Sequence, residues 1–349
     1  MAKLFELGAA FVKKVQPSDS VLLVHHIDAD GYCSAAVLLH LLKARGAKNV
    51  KSVVSDVESL KEIIGGVKPR EFDKIIVLDI DAPLLKPAFE RTKTDTLIVD
   101  HHMVRSNLNV GKITYVNPRL ADSELYQPVS YVIYKIASFL TDSERVEWLA
   151  ALGSVADFAF EDCRDVLDRW IDADKVDDIV KSEFWKAAKV LYGAIIYANA
   201  EGSEITHEQL LDTLMSVSSV KELMSNSVVK SADEKFEKEY ERAKRDFVKN
   251  AETEGEVITG ILDSRMKRLC SALSTNLSIE HKGKLIIILE KRGERFKISA
   301  RWQNGRVHLG KLMEKCCHGG GHRNAAGGSI GVSEIESFKA CLFRELGVK

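Results

Sequence analysis

The sequence predicts an α/β protein: a parallel-sheet N-terminal domain with a helical insertion, a long connector helix, and a smaller α/β C-terminal domain. Three observations carry this expectation. Short β-rich runs at 21–24, 50–54, 75–78, 96–99 and 113–116 alternate with helical segments around 34–45, 59–65 and 84–92. A highly charged stretch at 231–251 sets Ala232, Phe236, Tyr240, Ala243, Phe247 and Ala251 three or four residues apart, the stripe of one long amphipathic helix. Beyond Gly255 a second, smaller set of strands and helices begins.

In chain order, the first strand (Val21, Leu22, Leu23, Val24) is apolar throughout, as a strand covered on both faces is. A helix is expected from about Ser34, and further helices at 129–140 and 145–156. The acidic region through about Met224 reads as helical without strand signal. Expected C-terminal strands are 257–262, 285–289 and 296–300, with helices at 269–279, 309–316 and 333–346. The domain boundaries that follow are 1–229, including a helical region at about 158–229, then a connector at 230–254 and a second domain at 255–349.

With 349 residues, 45% of them hydrophobic, the chain can bury a large core. No apolar run approaches the ~20 residues that span a bilayer, and Lys3 and Glu6 sit inside the N-terminal helix-like pattern, so neither membrane span nor secretory signal is expected. The expected compartment is the cytoplasm. Six cysteines, at 33, 163, 270, 316, 317 and 341, follow no repeating spacing and read as free thiols in a reducing compartment. Net charge is −1, yet 280–315 holds ten Lys or Arg against four Glu, and 141–186 holds thirteen Asp or Glu against six Lys or Arg.

Polar residues that can carry chemistry gather at strand ends. The first strand runs into His25, His26, Asp28, Asp30 and Gly31; the third into Asp79 and Asp81; the fourth into Asp100, His101 and His102; and Asp157 follows Gly153 on a helix-like segment. One such end can be an ordinary turn. Several in one parallel sheet place their side chains along a common edge, where open α/β sheets bind ligands. Carboxylates brought together there repel one another unless cations neutralise them. Carboxylate and imidazole donors without thiolate suit Mn²⁺ or Mg²⁺, the histidines favouring Mn²⁺, and a two-ion site suits phosphate ester hydrolysis.

A second motif runs from Gly319 to Gly328 and reads GGGHRNAAGG. Glycines at this density can turn backbone amides inward as an anion nest, with His322 and Asn324 as donors and Arg301 as a bidentate grip. A zinc site from Cys316, Cys317, His318 and His322 is a weaker reading, because adjacent cysteines rarely reach one tetrahedral ion. No P-loop or nucleophile elbow is present.

Together HIDADG (26–31), LDID around Asp79, DHH (100–102), VNPR (116–119), GSVAD ending at Asp157, and GGGHRNAAGG resemble the DHH phosphoesterase family, in the branch with an associated C-terminal phosphate-binding domain. By pattern the chain is similar to RecJ-like single-strand exonucleases and to the nano-RNase or pAp-phosphatase group. The resemblance implies two Mn²⁺ ions, with Mg²⁺ as the alternative: one held by Asp28 and His26, the other by Asp30, His101 and Asp157, with Asp79 bridging. It implies that His102 contacts the scissile phosphate, and that Arg301, Gly320, Gly321, His322 and Asn324 hold a neighbouring one. One departure is Val24, which stands where many members place a ligand histidine, so the choice between His25 and His26 is open at this stage. The stretch from about Phe158 to Val229 has no matched counterpart.

The implied activity is metal-dependent phosphodiester cleavage from an end of single-stranded DNA or RNA, in repair or replication, in a cleft where the basic domain faces the acidic edge. Phe296 and Trp302 are candidate stacking groups, with core packing as their other reading. Rival expectations are a phosphatase for very short nucleotides and an inactive replication scaffold. The helical region is the expected seat of a helicase-like partner, and a homo-oligomer is a further expectation.

Overall fold

Val21, Leu22, Leu23 and Val24 form the middle of β1 (Ser20–His26), and all are buried because helices cover both faces of its sheet. The computed structural model describes the chain apart from residues 83, 84, 105, 142, 173–175, 265, 267, 304, 348 and 349. In order, α1 (Ala2–Lys13), β1, α2 (Ala29–Ala44), β2 (Asn49–Ser55), α3 (Val57–Gly66), β3 (Lys74–Leu78), α4 (Lys86–Thr92), β4 (Asp95–Val99) and β5 (Ile113–Val116) build a five-stranded parallel sheet. Its order is β2-β1-β3-β4-β5. The expected start of α4, Leu84, lies outside the described residues.

Side-chain alternation along each strand divides the core in two. Leu23, Ile76, Leu78, Leu97 and Val99 face α1 and α2 together with α5 (Val129–Ser138) and α6 (Glu147–Ala156). Leu22, Val24, Ile75, Val77 and Ile98 face Leu60 and Ile64 of α3 and Phe89 of α4. The order reverses between β1 and β3, and such a switch point opens a crevice at the strands' C-terminal ends. α2 starts five residues before the expected Ser34. Asp28 caps it, its carboxylate accepting from the Gly31 amide at 3.0 Å, so a segment that reads as a turn is the helix's first turn.

Helices α7 (Arg164–Leu167), α8 (Val176–Lys181), α9 (Glu183–Ala198), α10 (His207–Ser216) and α11 (Val220–Ser225) make up the helical region and share the α2, α5 and α6 core through Phe184, Leu191, Leu210, Leu214 and Leu223. The chain forms two compact units, Met1–Ala198 with Glu204–Asp233, and Asn199–Ser203 with Glu234–Lys349. Helix α12 (Ser227–Asn250) contributes Ala232 to the first core. Its later stripe, Phe236, Tyr240, Ala243 and Phe247, is buried within the second unit, where Asn276 donates to the Tyr240 hydroxyl at 2.7 Å.

The second unit holds β6 (Glu252–Glu254), β7 (Val257–Leu262), α13 (Leu269–Glu280), β8 (Leu285–Arg292), β9 (Arg295–Arg301), α14 (Leu309–Cys316), β10 (His318–Gly321), β11 (Ala325–Gly331) and α15 (Ile335–Leu346). Its mixed sheet has the order β10-β11-β9-β8-β7-β6, with only β7 and β8 parallel. Phe296 and Trp302 are both buried in its core.

The expectation of six free thiols is corrected here: Cys316, at the end of α14, is bonded to Cys341 of α15, with Cα atoms 5.5 Å apart. Scattered spacing concealed the pair because two packed helices bring the sulfurs together. The bridge closes 25 residues of chain, a loop whose closure is worth about 3 kcal/mol. Cys341→Ser, or reduction, is therefore expected to lower the urea midpoint of the second unit, and an unchanged midpoint would show that the bridge is dispensable. Cys33, Cys163 and Cys270 are buried free thiols, and Cys317 is a half-buried one. Among the described residues no helix is long and apolar enough to cross a membrane.

Candidate metal centre

The C-terminal ends of β1, β3 and β4 deliver their polar residues to one place. His26 closes β1 and Asp28 caps α2; the His26 Nδ1 lies 2.5 Å from Asp28 Oδ2 and 3.5 Å from Asp79 Oδ2. Asp79 follows β3 with φ of 64°, a left-handed conformation that Asp tolerates better than most side chains, and its amide donates to Val99 O at 2.9 Å. This turns its carboxylate towards β4, where Asp79 Oδ1 lies 3.2 Å from His101 Nε2. His101 Nδ1 is in turn 3.6 Å from Oδ2 of Asp157, the C-cap of α6. Two groups of donor atoms result, His26 with Asp28 and Asp79, and Asp79 with His101 and His102, each within 4.8 Å. Asp79 belongs to both.

Asp30 is held differently. Its Oδ2 accepts from the Val129 amide at 2.7 Å and its Oδ1 from the Ser130 amide at 2.9 Å, so the carboxylate caps the N-terminus of α5. Gly153 of α6 leaves room for this arrangement, since a Cβ there would stand 2.1 Å from Ser130 Oγ and 2.8 Å from Asp30 Oδ1. His25 points elsewhere: its Nδ1 meets His26 O at 2.9 Å, its ring packs edge-on to Tyr32, and burial lowers its pKa to about 4.

Asp100 organises the histidine pair. Its buried Oδ1 accepts from the amides of His101 (2.8 Å) and His102 (3.2 Å) and contacts His102 Nδ1 at 2.7 Å. Burial disfavours the His102 cation, but the Asp100 hydrogen bond and charge outweigh it and raise the pKa. Arg119 and Asn117 brace the same loop, Arg119 Nε donating to His101 O at 2.9 Å and Asn117 Nδ2 to His102 O at 3.0 Å. Asp100, Asn117, Arg119, Gly153 and the α5 amides have no assigned role in the sequence reading. The spacing of Asp100 two residues before His102, the VNPR run and the GSVAD run that opens on Gly153 are the available signals.

Burial and neighbouring carboxylates push the Asp79 pKa well above the carboxylate range, and burial is also the main cause that raises Asp30 and carries Asp157 to about 7. Desolvation opposes the Asp28–His26 pair, yet the cation lowers Asp28 and the carboxylate lifts His26 to about 10. Asp79 Oδ2 and Asp157 Oδ2 are buried, with imidazole nitrogens of His26 and His101 at the long distances of 3.5 and 3.6 Å. Buried carboxylates loosely partnered by imidazoles, with no thiolate, fit a divalent cation of the Mn²⁺ or Mg²⁺ type. A carboxyl whose pKa rises on folding stabilises the fold when protonated, and that stability is lost as pH climbs from the unfolded value through the folded one. In chelator, the raised carboxyls of Asp30, Asp79 and Asp157 together outweigh His25, whose lowered pKa acts with the opposite sign over the same range, so the melting temperature is expected to fall between about pH 4 and pH 7, and Mn²⁺ is expected to abolish that fall. Melting curves that stay flat or rise in chelator would contradict this assignment.

In the second unit, GGGHRNAAGG is a hairpin rather than an amide nest: Gly319 and Gly320 pair with Gly328 and Gly327 across β10 and β11. The ladder takes amides that a nest would need. The turn keeps His322, Arg323 and Asn324 exposed, with their carbonyls accepting from Gly310, Leu309 and Trp302. Arg301 pairs with Ala325 at the same end of the sheet and bonds Thr275 and Ser271 of α13. Arg301, Gly321, His322 and Asn324 thus share one rim of this unit.

A model of the DHH family, N-terminal domain, matches residues 20–155, and a model of the DHHA1 domain matches 255–347. A search of curated proteins found no match. Among solved structures, the chain is similar to RecJ with Mn²⁺ from Thermus thermophilus, with 17% identity and a TM-score of 0.74, covering 99% of this chain and 54% of that one. It is similar to exonuclease RecJ bound to manganese at 16% identity and a TM-score of 0.71, covering 99% and 94%. The pGpG-specific phosphodiesterase PggH from Vibrio cholerae has 16% identity and a TM-score of 0.54, covering 94% and 99%. The chain therefore spans about half the length of the Thermus RecJ. With both domain types in family order, and with strand-end acids and histidines gathered at the β1/β3 switch point, the chain belongs to the DHH family.

Proposed function

We propose that the chain is a divalent-metal-dependent phosphodiesterase that removes nucleotides from an end of single-stranded nucleic acid. The observation that carries this reading is Asp79, which belongs to both donor groups, its Oδ2 facing His26 and its Oδ1 facing His101. In the assignment proposed here, Asp28 and His26 would hold one cation, Asp30, His101 and Asp157 would hold a second, and Asp79 would be shared between them. Two Mn²⁺ or Mg²⁺ ions would lower the pKa of water and offset charge developing on phosphorus-bound oxygens.

The chain's own residues do the positioning. Asp100 fixes the His102 ring by taking Nδ1, which directs Nε2 outward as a donor for a non-bridging phosphate oxygen. Arg301, His322 and Asn324 are assigned to a second phosphate of the strand, whereas Gly320 and Gly321 lie in the β10/β11 ladder and serve to hold that turn in place. Work in repair or replication, and a partner such as a helicase on the helical region, belong to the same reading.

A second reading, hydrolysis of very short nucleotides, is favoured by the near-full coverage of PggH, a pGpG-specific phosphodiesterase. The deciding experiment offers end-labelled 30-mer and 5-mer DNA and RNA, and a dinucleotide, with Mn²⁺. A product ladder from the 30-mer supports the exonuclease, dinucleotide cleavage alone supports the second reading, and no cleavage of any substrate overturns both.

A further inference from the structure

Phe158 directly follows Asp157 and ends α6 in an uncommon way. Its amide donates to Val155 O at 3.2 Å and the Ala159 amide to Ser154 O at 2.9 Å, the paired closure that places the residue after the C-cap in the left-handed region. Glycine is the usual occupant there. Here a phenylalanine adopts φ of 56°, unfavourable for a bulky side chain, and its ring is 64% exposed. Neither backbone preference nor burial accounts for this residue at this place.

The ring is braced by other aromatics. Trp185 of α9 meets it nearly edge-on, with centroids 5.3 Å apart and planes at 79°, and the Phe160 centroid lies 6.1 Å away. Around it the sequence supplies Asp157, Glu161 and Asp162, an acidic surround that repels phosphate and tolerates the uncharged face of a heterocycle. Asp157 itself reaches the metal centre through His101.

We propose that Phe158, braced by Trp185, is the stacking platform for the nucleobase of the nucleotide whose phosphodiester sits at the Asp79 centre. The inference rests on the phosphodiesterase reading above and deepens it: the substrate is an ester that carries a base, rather than an inorganic polyphosphate. An exposed aromatic face accepts any base, so the platform selects for the presence of a base and not for its identity.

The test reads binding, without turnover. Fluorescence anisotropy with Ca²⁺ in place of Mn²⁺, so that the acidic centre is neutralised, compares a short labelled DNA strand with versions that carry an abasic residue at the 5′ or the 3′ end. Wild type is expected to bind the intact strand about five- to 150-fold more tightly than one of the abasic strands. Phe158→Gly is expected to erase that preference while the melting temperature holds or rises, because glycine adopts the left-handed conformation without strain. Phe158→Leu, which keeps an apolar side chain without a flat face, is expected to lose the preference as well. Equal binding of all three strands by wild type, or a preference retained in either variant, overturns the platform. Failure of the underlying reading looks different: no strand is cleaved with Mn²⁺, while the preference for a terminal base persists.

Discussion

Asp79→Asn is expected to lower kcat on single-stranded substrate by about three orders of magnitude or more, on the scale of losing one preorganised electrostatic partner, while strand binding persists. Asparagine is the right replacement because residue 79 has φ of 64°, which Asn tolerates as Asp does. Asp79→Ala removes the same carboxylate but adds left-handed strain of about 1 kcal/mol. The Asn variant should also melt higher than wild type in chelator, since it deletes a buried charge whose pKa burial and neighbouring acids already raise. Steady-state hydrolysis with Mn²⁺ and melting without it separate the two effects. Near-normal turnover would refute the bridging assignment outright.

Gly31→Ala is the second large effect, and it falls on the fold. A Cβ at this position would stand 2.3 Å from His26 O and 2.7 Å from the His26 carbonyl carbon. Those are backbone atoms at the end of β1, so no side chain can swing aside, and either α2 or the strand end must move. The expected cost is about 3 kcal/mol, the upper end for overpacking, read as a shift in the urea midpoint. Because His26 and Asp28 lie on the displaced segment, activity should fall about a hundredfold as well, the usual result of misplacing a catalytic group by about 1 Å. A variant that unfolds with wild type would mean that the turn from β1 into α2 is slack.

These two residues also show how much of the molecule can be read from its sequence. The parallel sheet is legible because β1, β3 and β4 are short apolar runs that stop at acids and histidines, a local pattern that chain order turns into a shared edge. The gathering of His26, Asp79 and His101 follows from strand order, whereas Asp28 and Asp157 arrive on the ends of α2 and α6. What cannot be read depends on tertiary approach. Nothing beside Gly153 in the chain reveals that Ser130 and Asp30 press against it, and nothing beside Cys316 reveals Cys341. The start of α2 is hidden because Asp-Ala-Asp-Gly serves a turn or a helix N-terminus equally well, and only the Asp28 cap decides. Gly319–Gly328 is ambiguous for the related reason that glycine permits a nest and a strand alike, so pairing with β11 has to choose.

The route from His26 to Asp157 passes the ends of β1, β3 and β4 and finishes on α6, and this bears on how the protein reaches its native state. Contacts of such long sequence separation form late, after the entropy of closing large loops has been met. The cluster therefore cannot exist in a partly assembled sheet, and a cation has nothing to grip until the last strands dock. Mn²⁺ should accordingly leave the refolding rate almost untouched and act on the escape rate, prolonging the lifetime of molecules that have already finished folding.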